Sequence, residues 1–266
     1  VKNVCKTVFI TLVLIFLYAP ILILTVYSFT DATTIGAIRG FSLHNYVTLF
    51  TTPELRDMIF GTITLALGAA LLATVLGTLG AVGSFYSGKV SNSVITAVNQ
   101  IPVVNADVVT GFSACILLVV VLGITKDTFI PLLAGHVTLC APFVFLSVVP
   151  KLKQMDPSIY EAALDLGASP ATALRKIVFP QISSGVFSGF CLAVTLSLDD
   201  YFIATYTKPA TFDTISTYVV NATKGAQTEI KTALWALSAV IFLIVLLIVA
   251  AANFRASGSE AERSQV

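Results

Sequence analysis

Glu161-Ala162-Ala163-Leu164-Asp165-Leu166-Gly167, followed nine residues later by Ile177-Val178-Phe179-Pro180, interrupts an otherwise apolar chain. The surrounding segment, 151–182, is polar and basic. It reads as two short helices joined at a glycine. Ser158 and Glu161 have capping-box spacing, and Asp156-Pro157 offers a second helix start in the same place. Ile159, Ala162, Ala163 and Leu166 recur at helical spacing as one apolar stripe. Gly167 falls where a helix ends and the backbone must take a positive φ. Ser169-Pro170 then restarts a helix as cap and first residue, with Leu174, Ile177 and Val178 as its stripe. Pro180 is expected to close the unit. Read from the residues alone, the pair either lies on a lipid surface or docks on another protein.

The rest of the chain identifies the solvent. Of 266 residues, 56% are hydrophobic and only 11% charged, against about 25% charged in an ordinary soluble domain. So few charges cannot cover a water-facing surface, and lipid must bathe most of the chain. A net charge of +1 carries no argument for nucleic acid as a partner. A span needs about 20 residues. Six stretches meet that length, near 8–29, 58–85, 95–123, 129–149, 183–206 and 232–254, so the fold class is an all-α polytopic membrane protein. The first is too long for a signal-peptide core and has no clear cleavage site, so it is read as retained. Residues 1–254 form one transmembrane domain in this reading, and 255–266 a polar tail without fixed structure. With the N-terminus inside, nine of the fifteen Lys and Arg fall on cytoplasmic segments, a modest bias in the expected direction.

The loop residues carry a resemblance. Glu-Ala-Ala, three residues, Gly, nine residues, Ile-x-x-Pro, with Phe179 in place of the usual Leu, resembles the cytoplasmic signature of ABC importer permeases. That resemblance implies the ABC type I importer permease fold with six transmembrane helices. It also implies that Glu161, Ala162, Ala163, Gly167, Ile177 and Pro180 form a coupling helix seated on an ATPase, and that both termini are cytoplasmic.

Gly83-Ser84-Phe85-Tyr86-Ser87-Gly88-Lys89-Val90 has P-loop spacing, but Val90 replaces the Ser or Thr that holds magnesium, and no strand precedes it. If transport is ATP-driven, as the resemblance implies, ATP and magnesium belong to a partner chain; no cofactor, no metal and no catalytic residue is expected here. Cys5, Cys115, Cys140 and Cys191 lack metal-ligand spacing and read as inert thiols. Gly61, Gly68, Gly77, Gly80 and Gly83 mark a close-packing face on span two. His136, inside span four, is expected to bond a neighbouring helix.

Carboxylates inside spans point to the cargo. An Asp near the centre of a helix costs about 2.5–3.5 kcal/mol to insert. Asp107 lies in span three beside Asn105, and Asp199-Asp200 in span five. Adjacent helical residues diverge by about 100°, so the pair cannot both face one channel unless the helix unwinds. Each of the three either lines a pathway, caps a broken helix, or pairs with a basic residue of another subunit.

Ser197-Leu198-Asp199-Asp200, Ala106-Asp107-Val108-Val109, Leu164-Asp165-Leu166-Gly167-Ala168-Ser169, Tyr18-Ala19-Pro20 and His136-Val137-Thr138 together resemble the C-type permease of spermidine/putrescine importers. The departure at Asn105-Ala106 bears on Asp107. This resemblance implies a polyamine cargo, with Asp107, Asp199, Asp200, Tyr201 and Tyr218 along the pathway. It further implies a homologous second permease, two copies of a cytoplasmic ATPase, an extracytoplasmic binding protein and a bacterial inner-membrane location. Ammonium groups pair with separated carboxylates, and tyrosine faces add cation–π attraction of about 0.5–2 kcal/mol. A permease for another small organic solute shares most of the pattern. A stand-alone secondary transporter would need repeated halves, and none is evident. A metal-dependent membrane enzyme would need His or Glu at ligand spacing to the aspartates.

Overall fold

A computed structural model describes residues 2–32, 40–224 and 232–243. Among them the only β pairing is an isolated bridge between Thr30 and Phe41. The helices are α1 (Lys2–Ser28), α2 (His44–Thr51), α3 (Pro53–Tyr86), α4 (Lys89–Val104), α5 (Asp107–Val121), α6 (Phe129–Gln154), α7 (Pro157–Asp165), α8 (Pro170–Asp199), α9 (Phe202–Thr207), α10 (Ile215–Lys224) and α11 (Thr232–Leu243). The chain divides into two compact units, residues 1–57 with 219–266, and residues 58–218.

Among the described residues, four helices are long and apolar enough to cross a membrane: α1 from Lys6, α3, α6 and α8. The third expected span is broken. Helices α4 and α5 meet at a 106° bend. Asn105 and Ala106 are extended there (ψ 148° and 136°). Pro102, which lacks an N–H, stands just before the bend. The sixth expected span begins as α11, and its continuation beyond 243 lies outside the described residues, as does the tail 255–266.

The fifth span differs most from the sequence reading of 183–206. It starts at Pro170, inside the polar loop, and stops at Asp199. Pro180 does not close the loop; it sits within α8. A π turn over Leu174–Val178, with Phe179 N–H donating to Leu174 O, widens the helix just before it. The ladder already changes register there, so the missing N–H and the ring are accommodated without a break.

Unit 58–218 is built around α6. Leu139, Cys140, Val144, Phe145, Val148 and Leu152 of α6 form the core with Ala70, Ala73 and Ala81 of α3 and Ile182 and Ala193 of α8. Lipid gives little drive to bring apolar helices together, so close packing supplies it. A Cβ on Gly77 would lie 2.7 Å from both Ala141 O and Val144 Cβ, and one on Gly185 2.9 Å from Ser147 O. The close-packing face expected on α3 is thus real at Gly77, whereas Gly83 faces open space. The P-loop-like stretch is the end of α3 followed by Gly88, the residue before α4. Cys140 is buried and its thiol donates to Ala193 O; Cys115, Cys140 and Cys191 are all free.

In the other unit, Asn45 of α2 donates through Nδ2 to Ser28 O and Thr30 O, each at 3.1 Å. The first of these bonds satisfies a carbonyl left open at the end of α1. Tyr27 packs edge-on against Trp235 of α11, with ring centres 5.7 Å apart. Most of α1 is uncovered, Phe9 and Phe16 by 67% and 80%, as suits a helix whose solvent is lipid.

Candidate functional site

The signature loop begins as α6 runs past its expected end to Gln154. Of the two possible starts for α7, Asp156-Pro157 is used: the Asp156 carboxylate accepts the Ser158 N–H at 3.0 Å, with Pro157 in the first turn. Ser158 is not the cap. The Ser158 backbone bond also holds the Asp156 carboxyl below its ordinary range.

Helix α7 ends in a Schellman motif. Ala168 N–H donates to Ala163 O (3.0 Å) and Gly167 N–H to Leu164 O (2.9 Å), with Gly167 at φ 88°. Ser169 Oγ then accepts the Thr172 N–H at 3.3 Å, with Pro170 next in the chain. The expected apolar stripe is mostly left open. Ala163 is buried, but Ala162 is exposed, as are Ile159 (41%) and Leu166 (89%), and Glu161 lies beside them. The loop is anchored instead by Tyr160, which the stripe did not include. Its ring lies 4.7 Å from that of Tyr86 at the end of α3, and it packs on the core with Leu174 and Val178. Ile177 is partly buried and Pro180 exposed. The outward face of α7 is therefore apolar, with nothing of unit 58–218 against it.

The intramembrane carboxylates gather where two helices break. Asp107 opens α5 directly after the 106° bend and is exposed. Its place in the first turn suits the positive end of the helix dipole. Asp199 ends α8 and is exposed; Asp200 is extended (φ −65°, ψ 126°) and buried. The helix ends between them, and the two side chains face different surroundings. Asp200, expected beside Asp199 on the pathway, is turned into the protein. Its Oδ1 accepts from Ile203 N–H (3.2 Å) and its Oδ2 from Ala204 N–H (2.8 Å), at the start of α9.

Helix α9 is gripped by glycines. A Cβ on Gly111 would lie 2.9 Å from Ile203 Cα, and one on Gly135 2.7 Å from Ile203 Cγ2. Helices α5 and α6 are thereby both packed closely against the start of α9. Tyr201 lies in the break, partly buried, its ring 5.2 Å from that of Phe202. Tyr218 is partly buried on α10, whose start is tied to the end of α8 by Ser216 Oγ donating to Leu198 O at 3.1 Å. His136 is wholly buried and bonds the neighbouring helix: its Nδ1 is 2.8 Å from Ser197 Oγ. A cavity of about 360 Å³ beneath the bend is lined by Asn105, Thr110, Ser113 and Thr138 among apolar side chains. Among the described residues no group of His, Cys, Asp and Glu has the arrangement of a metal site.

Residues 73–256 match the family described as "Binding-protein-dependent transport system inner membrane component". The chain belongs to that family. This inner membrane component is 33% identical over 241 residues to the putrescine transport system permease protein PotI of Escherichia coli (strain K12), covering 87% of this chain and 84% of that one. It is 31% identical over 243 residues to the spermidine/putrescine transport system permease protein PotC of Haemophilus influenzae, covering 91% and 94%. Among solved structures, a bacterial ABC transporter that imports the acidic polysaccharide alginate superposes with a TM-score of 0.74 at 16% identity, covering 95% of this chain and 96% of that one. An amino acid ABC transporter superposes at 0.54, covering 76% and 92%. The fold is that of ABC importer permeases. This inner membrane component is a non-catalytic, multi-pass subunit, and ATP is hydrolysed on a separate chain.

Proposed function

We propose that this chain is one of two permease subunits of an ATP-driven polyamine importer, taking putrescine or spermidine. The observation that supports the reading is that Asp107 and Asp199 are both exposed and each stands at a helix break, the first opening α5 and the second ending α8. Such breaks free backbone and side chains to line a hydrated path, one of the two settings, with burial in protein, where non-helical backbone is tolerated at membrane depth. Two separated negative charges match the spaced ammonium groups of a polyamine. The names of the permeases that the chain resembles support the same cargo. Tyr201 and Tyr218 add aromatic faces for the ammonium groups. Asp200 contributes indirectly, by shaping the break.

The exposed apolar face of α7, with Glu161, Ala162, Gly167, Ile177 and Pro180, docks on a cytoplasmic ATPase, of which two copies serve the two permeases. Both termini are then cytoplasmic. ATP and magnesium bind those partners, and this chain needs no cofactor. An extracytoplasmic binding protein supplies high affinity, so the pathway itself can hold cargo weakly. Closure of the ATPases moves α7 and shifts the population between outward-open and inward-open states. Uptake of radiolabelled putrescine and spermidine into proteoliposomes holding the four components, with and without ATP, tests the proposal. ATP-dependent accumulation is expected. ATP hydrolysis stimulated by the loaded binding protein, without polyamine uptake, would assign the permease to another small organic solute.

A further inference from the structure

His136 does more than join two helices. Its ring is wholly buried, yet its two nitrogens face polar groups at the end of α8 and in the α8–α9 break. Nδ1 is 2.8 Å from Ser197 Oγ, in the last turn of α8, and Nε2 is 3.6 Å from Asp200 Oδ2. Nε2 has no hydrogen-bond partner. The tautomer in which the Ser197 hydroxyl donates to Nδ1 puts the ring hydrogen on Nε2, the nitrogen nearer the Asp200 carboxylate. The same carboxylate accepts the first N–H groups of α9. A polar chain therefore runs from the end of α8, through a side chain of α6, to the start of α9. Gly135, next to His136, receives Ile203 of α9. Helix α6 thus holds α9 by packing and by polarity at adjacent residues. What lies between the two held points is Asp199 to Tyr201, the stretch that leaves Asp199 exposed.

We infer that His136 is a positioning residue for cargo: by bridging Ser197 and Asp200 it sets the α8–α9 break and so the direction in which Asp199 is presented. The inference rests on the reading of Asp199 as a cargo contact. A residue that merely held α6 and α8 together would leave a different signature. Its loss would weaken the whole permease and add to any defect at Asp199. A positioning residue acts only through Asp199, so its loss should not matter once that charge is gone.

The test uses the complete four-component transporter, with putrescine as cargo and co-purification of the subunits as the measure of assembly. His136→Leu removes both polar contacts, and Asp199→Asn removes the charge. His136→Gln keeps an N–H at the distance of Nε2. The expected result is about a tenfold loss of uptake for His136→Leu alone and for Asp199→Asn alone, the same tenfold in the double variant, and uptake within about twofold of wild type for His136→Gln. A tenfold loss corresponds to about 1.4 kcal/mol. Losses that multiply in the double variant, with assembly intact, overturn the inference, as does wild-type uptake by His136→Leu. If His136→Leu does not assemble, His136→Asn replaces it: it reaches Ser197 but not Asp200, and the same non-additive pattern is required of it. Wild-type uptake by Asp199→Asn would overturn the cargo reading itself, and this inference with it. A defect at Asp199 that multiplies with that at His136 leaves the cargo reading standing and removes only the positioning role.

Discussion

Gly167 is the residue on which the coupling loop turns, and its replacement can be worked through from the backbone. Its φ of 88° lies in the left-handed region, and nothing comes within 4 Å of the position a Cβ would take. A side chain there meets no neighbour, so the whole penalty is conformational. For an L-residue that penalty is about 1–2 kcal/mol, or roughly 5–30-fold in the population of the turn. The turn is held by the bonds from Gly167 N–H to Leu164 O and from Ala168 N–H to Ala163 O, each contributing about 0.5–1.5 kcal/mol net. The penalty for alanine is therefore comparable with what holds the turn. Proline is worse: it deletes the first of those bonds and locks φ near about −65°. The assay is the ratio of putrescine taken up to ATP hydrolysed in proteoliposomes. Gly167→Ala should lower the ratio several-fold, and Gly167→Pro should leave ATP hydrolysis running without uptake. Gly83→Ala is the control, because that glycine also faces open space but lies inside α3 at ordinary helical angles. Wild-type uptake per ATP by Gly167→Pro, at normal expression, would refute both the turn argument and the assignment of the loop.

Gly77→Ala should lower the thermal midpoint of the purified chain. Its Cβ would meet the α6 backbone at 2.7 Å, whereas Gly80→Ala, 3.6 Å from the Phe145 ring, should be tolerated; overpacking of this kind costs about 1–3 kcal/mol. Asp199→Asn, and separately Asp107→Asn, should reduce polyamine uptake more than assembly; parallel loss of both would mean that the carboxylate is structural. Asp156 has a lowered folded-state pKa because it accepts the Ser158 N–H. Its capping contribution is thus complete above the ordinary Asp range and is lost as pH falls through the folded value. Asp156→Ala should speed hydrogen exchange at the Ser158 amide at neutral pH, and should match wild type once the native carboxyl is protonated.

Much of this protein was legible without its tertiary structure, wherever a local rule sufficed. Low charge and apolar length marked the spans, because lipid excludes unpaired polar groups whatever the fold. The glycine turn at Gly167 and the Ser169-Pro170 restart follow from short-range backbone preferences, and the structure bears them out. The same reasoning failed where packing chose between local options. Pro180 was expected to end a helix, but a π turn absorbed it. The stripe Ile159, Ala162, Ala163 and Leu166 has correct helical spacing, yet Tyr160 is the residue that anchors the loop, because Tyr86 of α3 is there to receive it.

The carboxylates show the division most clearly. By itself the sequence determined that three aspartates lie within apolar segments, and that Asp199 and Asp200 cannot share one channel on an intact helix. Which way each turns was decided by the tertiary structure. Gly111 and Gly135 admit Ile203, and His136 and the α9 amides claim Asp200, leaving Asp199 outside. These contacts join α5, α6, α8 and α9, segments far apart in sequence. A helical period records which residues share a face of one element, but it holds no information about which element will stand opposite that face.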